Sequence, residues 1–509
     1  MQATGIEGRR MAAASMIIFF FFPVFVHADA VASEPPVVTD LAISDAVEDE
    51  LLMDIHVRAH LIDVATKDGV VTLGGSVDDI LSKIRAERIA EAVKGVRAVV
   101  NTIDVLPPIL RSDREIQADV EQALHVDPAT DAYEIDVHVR DNVVTLSGSV
   151  DSWQERELSG KVAMGVRGVK ELRNELRFTD PGRRPDREIE QDIAQALRWD
   201  VLVDHASVDI HVSDGKVTLS GTVGSLAEKR QAIGDAYVAN VAGVDADRLE
   251  VKIWARDPRL RGDKYKSVSD SDIRRAVGDA LRYDPRVSSH EVTPEVADRV
   301  VTLRGTVDNL KSRRAAYRTA RNTVGVRRVV NRIKVRPSKK VDDDQVKSRI
   351  DQALARDPVI ASPEITVRVR SGVADLFGSV GTFFEKHQAE DLASRVNGVV
   401  GVNNFIVVNA VAPPSTYDPF GYEARRPGNF RPHFGPPLQG MTTDTQIKAD
   451  IEEEFFWSPF VDGDGILVSV ENRTATLTGT VDSWREFDAA TQNAYEGGAA
   501  RVDNRLVVR

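Results

Sequence analysis

Apolar residues recur along this chain in a fixed alternation of periods. Ile116, Val120, Ala123 and Leu124 fall at i, i+4, i+7 and i+8, one face of a helix, and Ser112 with Glu115 makes a capping-box pattern at its start. Ile135, Val137 and Val139 then alternate at period two, Asp141-Asn142 supplies a turn, and Val144, Leu146 and Gly148 continue as a second strand. Ser159, Val162, Ala163 and Val166 return to helical spacing, as do Ala86, Ile89, Ala90 and Val93 in the preceding stretch, where a last strand runs from Val99 to Val105. The pattern predicts helix, strand, strand, helix, strand. Thr443 with Gln446 and Asp342 with Gln345 repeat the helix cap further along.

The unit is written six times. Val71-Thr72-Leu73-Gly74-Gly75-Ser76-Val77 returns at 144–150, 217–223, 301–307, 374–380 and 475–481, and the shared glycines are Gly75, Gly148, Gly221, Gly305, Gly378 and Gly479. An aliphatic residue stands 32 positions before each glycine: Ile43, Ile116, Ile189, Ile273, Val346 and Ile447. Asn101, Asn174, Asn331 and Asn404 stand 26 after it, with Asp247 in the third copy and Asn504 one residue early in the sixth. The constant spacings place the modules at 41–107, 112–180, 185–254, 268–337, 342–410 and 442–509, with a Pro- and Gly-rich connector at 411–441. The fold class is α+β: tandem small αββαβ modules, each a three-stranded mixed sheet with two helices on one face. The last strand can lie parallel to the second or beside the first. A module of about 60 to 70 residues buries only some 60% of its unfolded surface, so neighbours are expected to support one another.

The run Asp68-Gly69-Val70-Val71-Thr72-Leu73 through Val77, followed by Gly95-Val96-Arg97, Val99 and Asn101, resembles the BON domain, a module of bacterial osmotic-shock and nodulation proteins. The resemblance extends over all six units. It implies an αββαβ fold, export to the periplasm or cell envelope, and binding of phospholipid membranes under osmotic stress. The third copy departs from the pattern, with Asp247 for Asn and Gly243-Val244 two residues late, and the sixth loses a residue around Gly497-Gly498; both are expected to pack differently at the second helix.

Composition narrows the chemistry. The 509 residues contain no cysteine, which removes disulfides, thiolate metal sites and a cysteine nucleophile, and the net charge of -13 opposes general nucleic-acid binding. Arg9-Arg10, the apolar run Met11–Val26 and Ala28-Asp29-Ala30 read as a secretory signal peptide, residues 1–30, with an uncleaved anchor as the alternative. No Gly-x-Ser-x-Gly occurs and no histidine position recurs in more than two of the six units, so no enzyme, cofactor or metal is expected. His56 and His60 have the four-residue spacing of a helical metal pair but lack the acid of a His-Glu-x-x-His motif. The recurring glycines are read as meeting a backbone requirement at a strand end, and the recurring asparagines as satisfying local backbone groups.

Charge breaks the repeat symmetry. From Leu310 to Lys340 there are twelve basic residues and no acid, and Lys311, Arg313, Arg314, Arg318 and Arg321 fall on the fourth module's second helix, with Arg327 and Arg328 following. These seven are the candidate contacts to anionic phospholipid. The competing reading pairs them inside the molecule, with Asp342-Asp343-Asp344 or Glu188 to Asp192 as acids. Expected partners are thus a phospholipid surface, bound peripherally, or envelope proteins docked through sheet edges or helix faces, and not nucleic acid.

Overall fold

The structure is a computed structural model that describes residues 38–408 and 443–509, apart from positions 55, 56, 58 and 239 and the short stretches 128–133, 179–183, 257–263, 265–267, 285–286, 288–290, 338–340, 361–364 and 381–382. The expected signal peptide, the connector 411–441 and His56 lie outside the described residues.

Module two shows how the repeat folds. Its first helix, Asp113–Val126, opens on the Ser112–Glu115 capping box, so two backbone N–H groups left open at the helix start are satisfied. Strands Ile135–Arg140 and Val143–Val150 pair antiparallel. Between them Asp141 and Asn142 take φ values of 54° and 63°, the left-handed pair of a turn whose twist matches the strands. Gly148 then bends the second strand at φ 117°, where a Cβ would stand 2.0 Å from the carbonyl oxygen of Glu134. The positive φ recurs at the other five repeat glycines. The second helix, Trp153–Met164, crosses over to a last strand that runs parallel to the second, which settles the topology: the second strand is central. Ile116, Val120, Leu124, Ile135, Val137, Leu146 and Val162 are all buried in one core. The cap at Thr443 accepts from the Gln446 amide as expected, while Asp342 accepts from Asp344 rather than Gln345.

The last strand comes in two pieces, Glu171–Asn174 and Arg177–Phe178, and Asn174 makes the break. Its Nδ2 donates to the Arg156 carbonyl of the second helix, 2.8 Å away, and its Oδ1 accepts from the Leu176 amide. Asn101, Asn331, Asn404 and Asn504 make the same two contacts. Module three, with Asp247, has instead one continuous strand, Gly243–Val251, with a register shift opposite Thr218 and Ser220. Its second helix, Leu226–Ala236, is the shortest of the six. Module six keeps the two-piece strand despite its missing residue.

The modules contact one another through a contact that also repeats. The amide of Lys94 donates to the Trp457 carbonyl, that of Arg167 to Arg356, and that of Val324 to Trp199, at 3.0, 2.8 and 3.0 Å. Each donor lies 19 residues past its module's glycine and each acceptor 22 before. The contact therefore joins module one to six, two to five, and four to three.

Candidate interaction surfaces

Every module carries an aspartate in the first turn of its first helix whose carboxylate accepts two backbone amides from the hairpin turn. Asp113 takes those of Asp141 and Asn142, both at 2.9 Å, and Asp40, Asp186, Asp270, Asp343 and Asp444 do the same. These residues clamp helix to hairpin and fix the turn that the repeat glycines follow. Sequence reasoning missed them, although an aspartate stands 35 residues before each repeat glycine.

The basic stretch of module four divides into two populations. On its second helix, Leu310–Arg321, Lys311 is buried and its Nζ sits 2.8 and 2.7 Å from the Asp127 carboxylate oxygens of module two. Burial lowers the pKa of Lys311, and the charge of Asp127 opposes that shift. Arg314 pairs with Glu390 of module five. Arg321 meets Asp488 of module six through two guanidinium nitrogens, with its guanidinium carbon 4.9 Å from the centre of the Trp484 ring. Arg313 is half-buried, and Arg318 is exposed with its charge felt by Asp391 of module five. Lys311, Arg314 and Arg321 are therefore bound to other modules, and their acids are Asp127, Glu390 and Asp488 rather than the neighbouring acidic runs.

Along the last strand the picture reverses. Arg327, Arg328, Arg332, Lys334 and Arg336 are exposed, while Ile333 is buried and Val329 and Val335 pack on the module's core. None of the five forms an ion pair among the described residues. Arg327 and Arg328 belong to this row; their backbones are engaged, the Arg327 carbonyl by the Trp484 indole N–H at 3.0 Å, the Arg327 amide by the Arg299 carbonyl at 2.9 Å, and Arg328 by pairing with Val300.

Carboxylates gather where modules one and six meet. Glu50, Glu454 and Glu496 bring oxygens within 4.8 Å of one another, and Glu50 and Glu454 share a hydrogen bond. Burial and the charge of Glu496 push Glu50 up to about 7. Burial and the charge of Glu50 push Glu454 higher still. His60 lies exposed on the short 3-10 helix Ala59–Leu61, outside the module's α-helices. Among the described residues no helix is long and apolar enough to cross a membrane.

The sequence matches the BON domain at residues 39–107, 112–180, 185–253, 269–337, 342–410 and 443–509. The chain belongs to the BON family. Its BON modules are similar to osmotically-inducible protein Y of Escherichia coli strain K12, 29% identical over 179 residues that span 34% of this chain and 87% of that protein. Among solved structures, two of CdsD, a structural protein of the type III secretion system of Chlamydia trachomatis, align at 13% identity with a TM-score of 0.12, over 42% of this chain and 100% and 92% of theirs.

Proposed function

We propose that this BON array is exported and non-enzymatic, and acts at the cell envelope by adsorbing to anionic phospholipid surfaces through the last strand of module four. The observation that carries the reading is the exposed row Arg328, Arg332, Lys334 and Arg336, beside Arg327, inside a stretch with no acid. Basic side chains near an anionic lipid surface contribute about 1 kcal/mol each, falling off within a Debye length of about 8 to 10 Å. The remaining chain is acidic, so this row is where such a surface is approached without repulsion. The Arg9-Arg10 and Met11–Val26 leader supports export. The name of the similar Escherichia coli protein, induced osmotically, supports osmotic or envelope stress as the setting.

The test is sedimentation of the full chain with phosphatidylglycerol–phosphatidylcholine liposomes across a salt series. Changing Arg328, Arg332, Lys334 and Arg336 to Gln is expected to lower affinity at least tenfold at low salt and much less at high salt. Unchanged binding at low salt refutes the assignment. A second reading, a structural or adaptor protein docking envelope proteins, is favoured by module five, where Phe377 and Phe405 stack at 5.2 Å and Phe405 and Val407 stand more than half exposed. Retention of an envelope protein by wild type, lost on Phe405→Ser, would select it.

A further inference from the structure

Modules one, two and five, with Arg230 of module three, border an open cavity of about 690 Å³, within the range of about 300 to 1,000 Å³ over which proteins hold small molecules. Its walls include Ile84 of module one, Val126 and Met164 of module two, and Leu392 of module five, none of them fully buried. The cavity opens beside the repeated inter-module contact. Where modules six and three end their first helices on Trp457 and Trp199, module five ends its own on Arg356, which also lines the cavity. Trp457 packs onto the shared core of modules one and two. A guanidinium in place of an indole leaves comparable space unfilled and puts a charge at its edge.

That charge is poorly compensated. Arg356 forms no ion pair among the described residues; burial lowers its pKa, and the opposing carboxylate, Asp119, is already bound to Arg111 at 2.7 Å. Arg88, also at the cavity, is exposed and already paired with Glu91 at 3.2 Å. The lining carries Arg85, Arg88, Lys161, Arg230, Arg356 and Arg395 against Glu87, Asp127, Glu157 and Asp357, an excess of positive charge, and half-buried Arg356 beside the apolar wall favours a ligand with one anionic end and one aliphatic body. We propose that this inter-module cavity binds a single-chain aliphatic anion, the head against Arg356 and the chain against Ile84, Val126, Met164 and Leu392. The site is independent of the module-four strand and of adsorption to a lipid surface.

The experiment uses the full chain, stripped of lipid by organic extraction, with the fluorescent fatty acid cis-parinarate as probe below its micellar concentration. Saturable binding of one molecule per chain, displaced by hexadecanoate, is expected. Arg356→Gln leaves the backbone contact to Arg167 in place and should weaken hexadecanoate at least tenfold while leaving 1-hexadecanol unchanged. Ala353→Phe, which fills the cavity, should abolish displacement by both; should it not fold by circular dichroism, Leu392→Trp takes its place. Tighter displacement by lysophosphatidylglycerol than by hexadecanoate would make a phospholipid fragment the source of the anion, and the reverse a free fatty acid, either in support. The four-residue Gln variant of module four should bind hexadecanoate normally, which separates this site from surface adsorption. Absence of saturable binding, or binding untouched by both Arg356→Gln and the filling variant, would overturn the proposal.

Discussion

Replacing Lys311 with Met tests whether module four is held to module two. The Lys311 and Asp127 side chains are 8% and 3% exposed, so the substitution leaves a carboxylate sealed from water without its cation. Breaking a buried pair on one side costs about 3 to 5 kcal/mol. Arg395 also acts on both Lys311 and Asp127 and softens the loss, which places the expected cost near about 3 kcal/mol. Lys311→Met with Asp127→Leu should recover most of it, since a packed apolar pair of similar volume replaces a buried ion pair at little loss. A chain of six modules need not unfold in one step, so urea melting should be joined to amide exchange of Asp113–Val126 and Leu310–Arg321. Faster exchange in both helices is expected. Exchange altered in Leu310–Arg321 alone, or a single-variant cost below about 0.5 kcal/mol, would refute the contact as a fastening between modules.

Other outcomes follow from the same contacts. Asp113→Ala removes a charged acceptor from two turn amides and should destabilise module two by about 1.5 to 3 kcal/mol, with faster exchange at Asp141 and Asn142; Asp113→Asn should cost less. Glu50, raised to about 7 in the folded chain, holds a proton there that the unfolded chain has lost above about 4.5, so stability from this cluster is fullest below that pH and falls as pH rises through 7. Glu454→Gln should flatten that fall, raising the melting temperature at pH 8 more than at pH 5, and an unchanged pH slope would count against the cluster. Leu146, fully buried at the centre of its sheet, should cost about 2 to 5 kcal/mol on Leu146→Ala, read as loss of protection in module two.

The modules were legible because what shapes them is local and repeated. Ile116, Val120 and Leu124 mark a helix by spacing alone, and Gly148 reports a backbone that no side chain tolerates, so the αββαβ order could be written from residues within one unit. The family resemblance rested on those same positions. The function of the basic stretch was less legible, because a run of charge in sequence does not say which face each residue takes. Lys311, Arg314 and Arg321 lie on helix positions that meet Asp127, Glu390 and Asp488, while Arg328, Arg332, Lys334 and Arg336 stand exposed along the two-piece last strand, Arg328–Asn331 and Lys334–Val335, and the residues next to it. Those acids sit in three other modules, and a partner so distant leaves no periodic trace. The other copies carry Leu81, Gln154, Ala227, Phe384 and Arg485 where module four has Lys311, so the repeat itself conceals the contact. The aspartate clamp was visible in principle, but an acid in a helix's first turn reads equally well as a partner for the helix dipole.

The order in which the repeated contact joins modules bears on how the chain can be made. Read outward from the middle, three meets four, two meets five and one meets six, so the joins are nested like brackets around the segment between modules three and four. Closing a loop costs about 0.6 kcal/mol more for each doubling of its length, and the innermost join closes the shortest loop. Once three and four are together, the span separating two from five is already folded back on itself, and the outer joins inherit that shortening. A chain emerging from its amino end thus has the first module waiting longest: until Trp457 has been delivered, the Lys94 amide has no mate, and a product truncated before that point would carry an unanswered docking face on each module whose counterpart is missing.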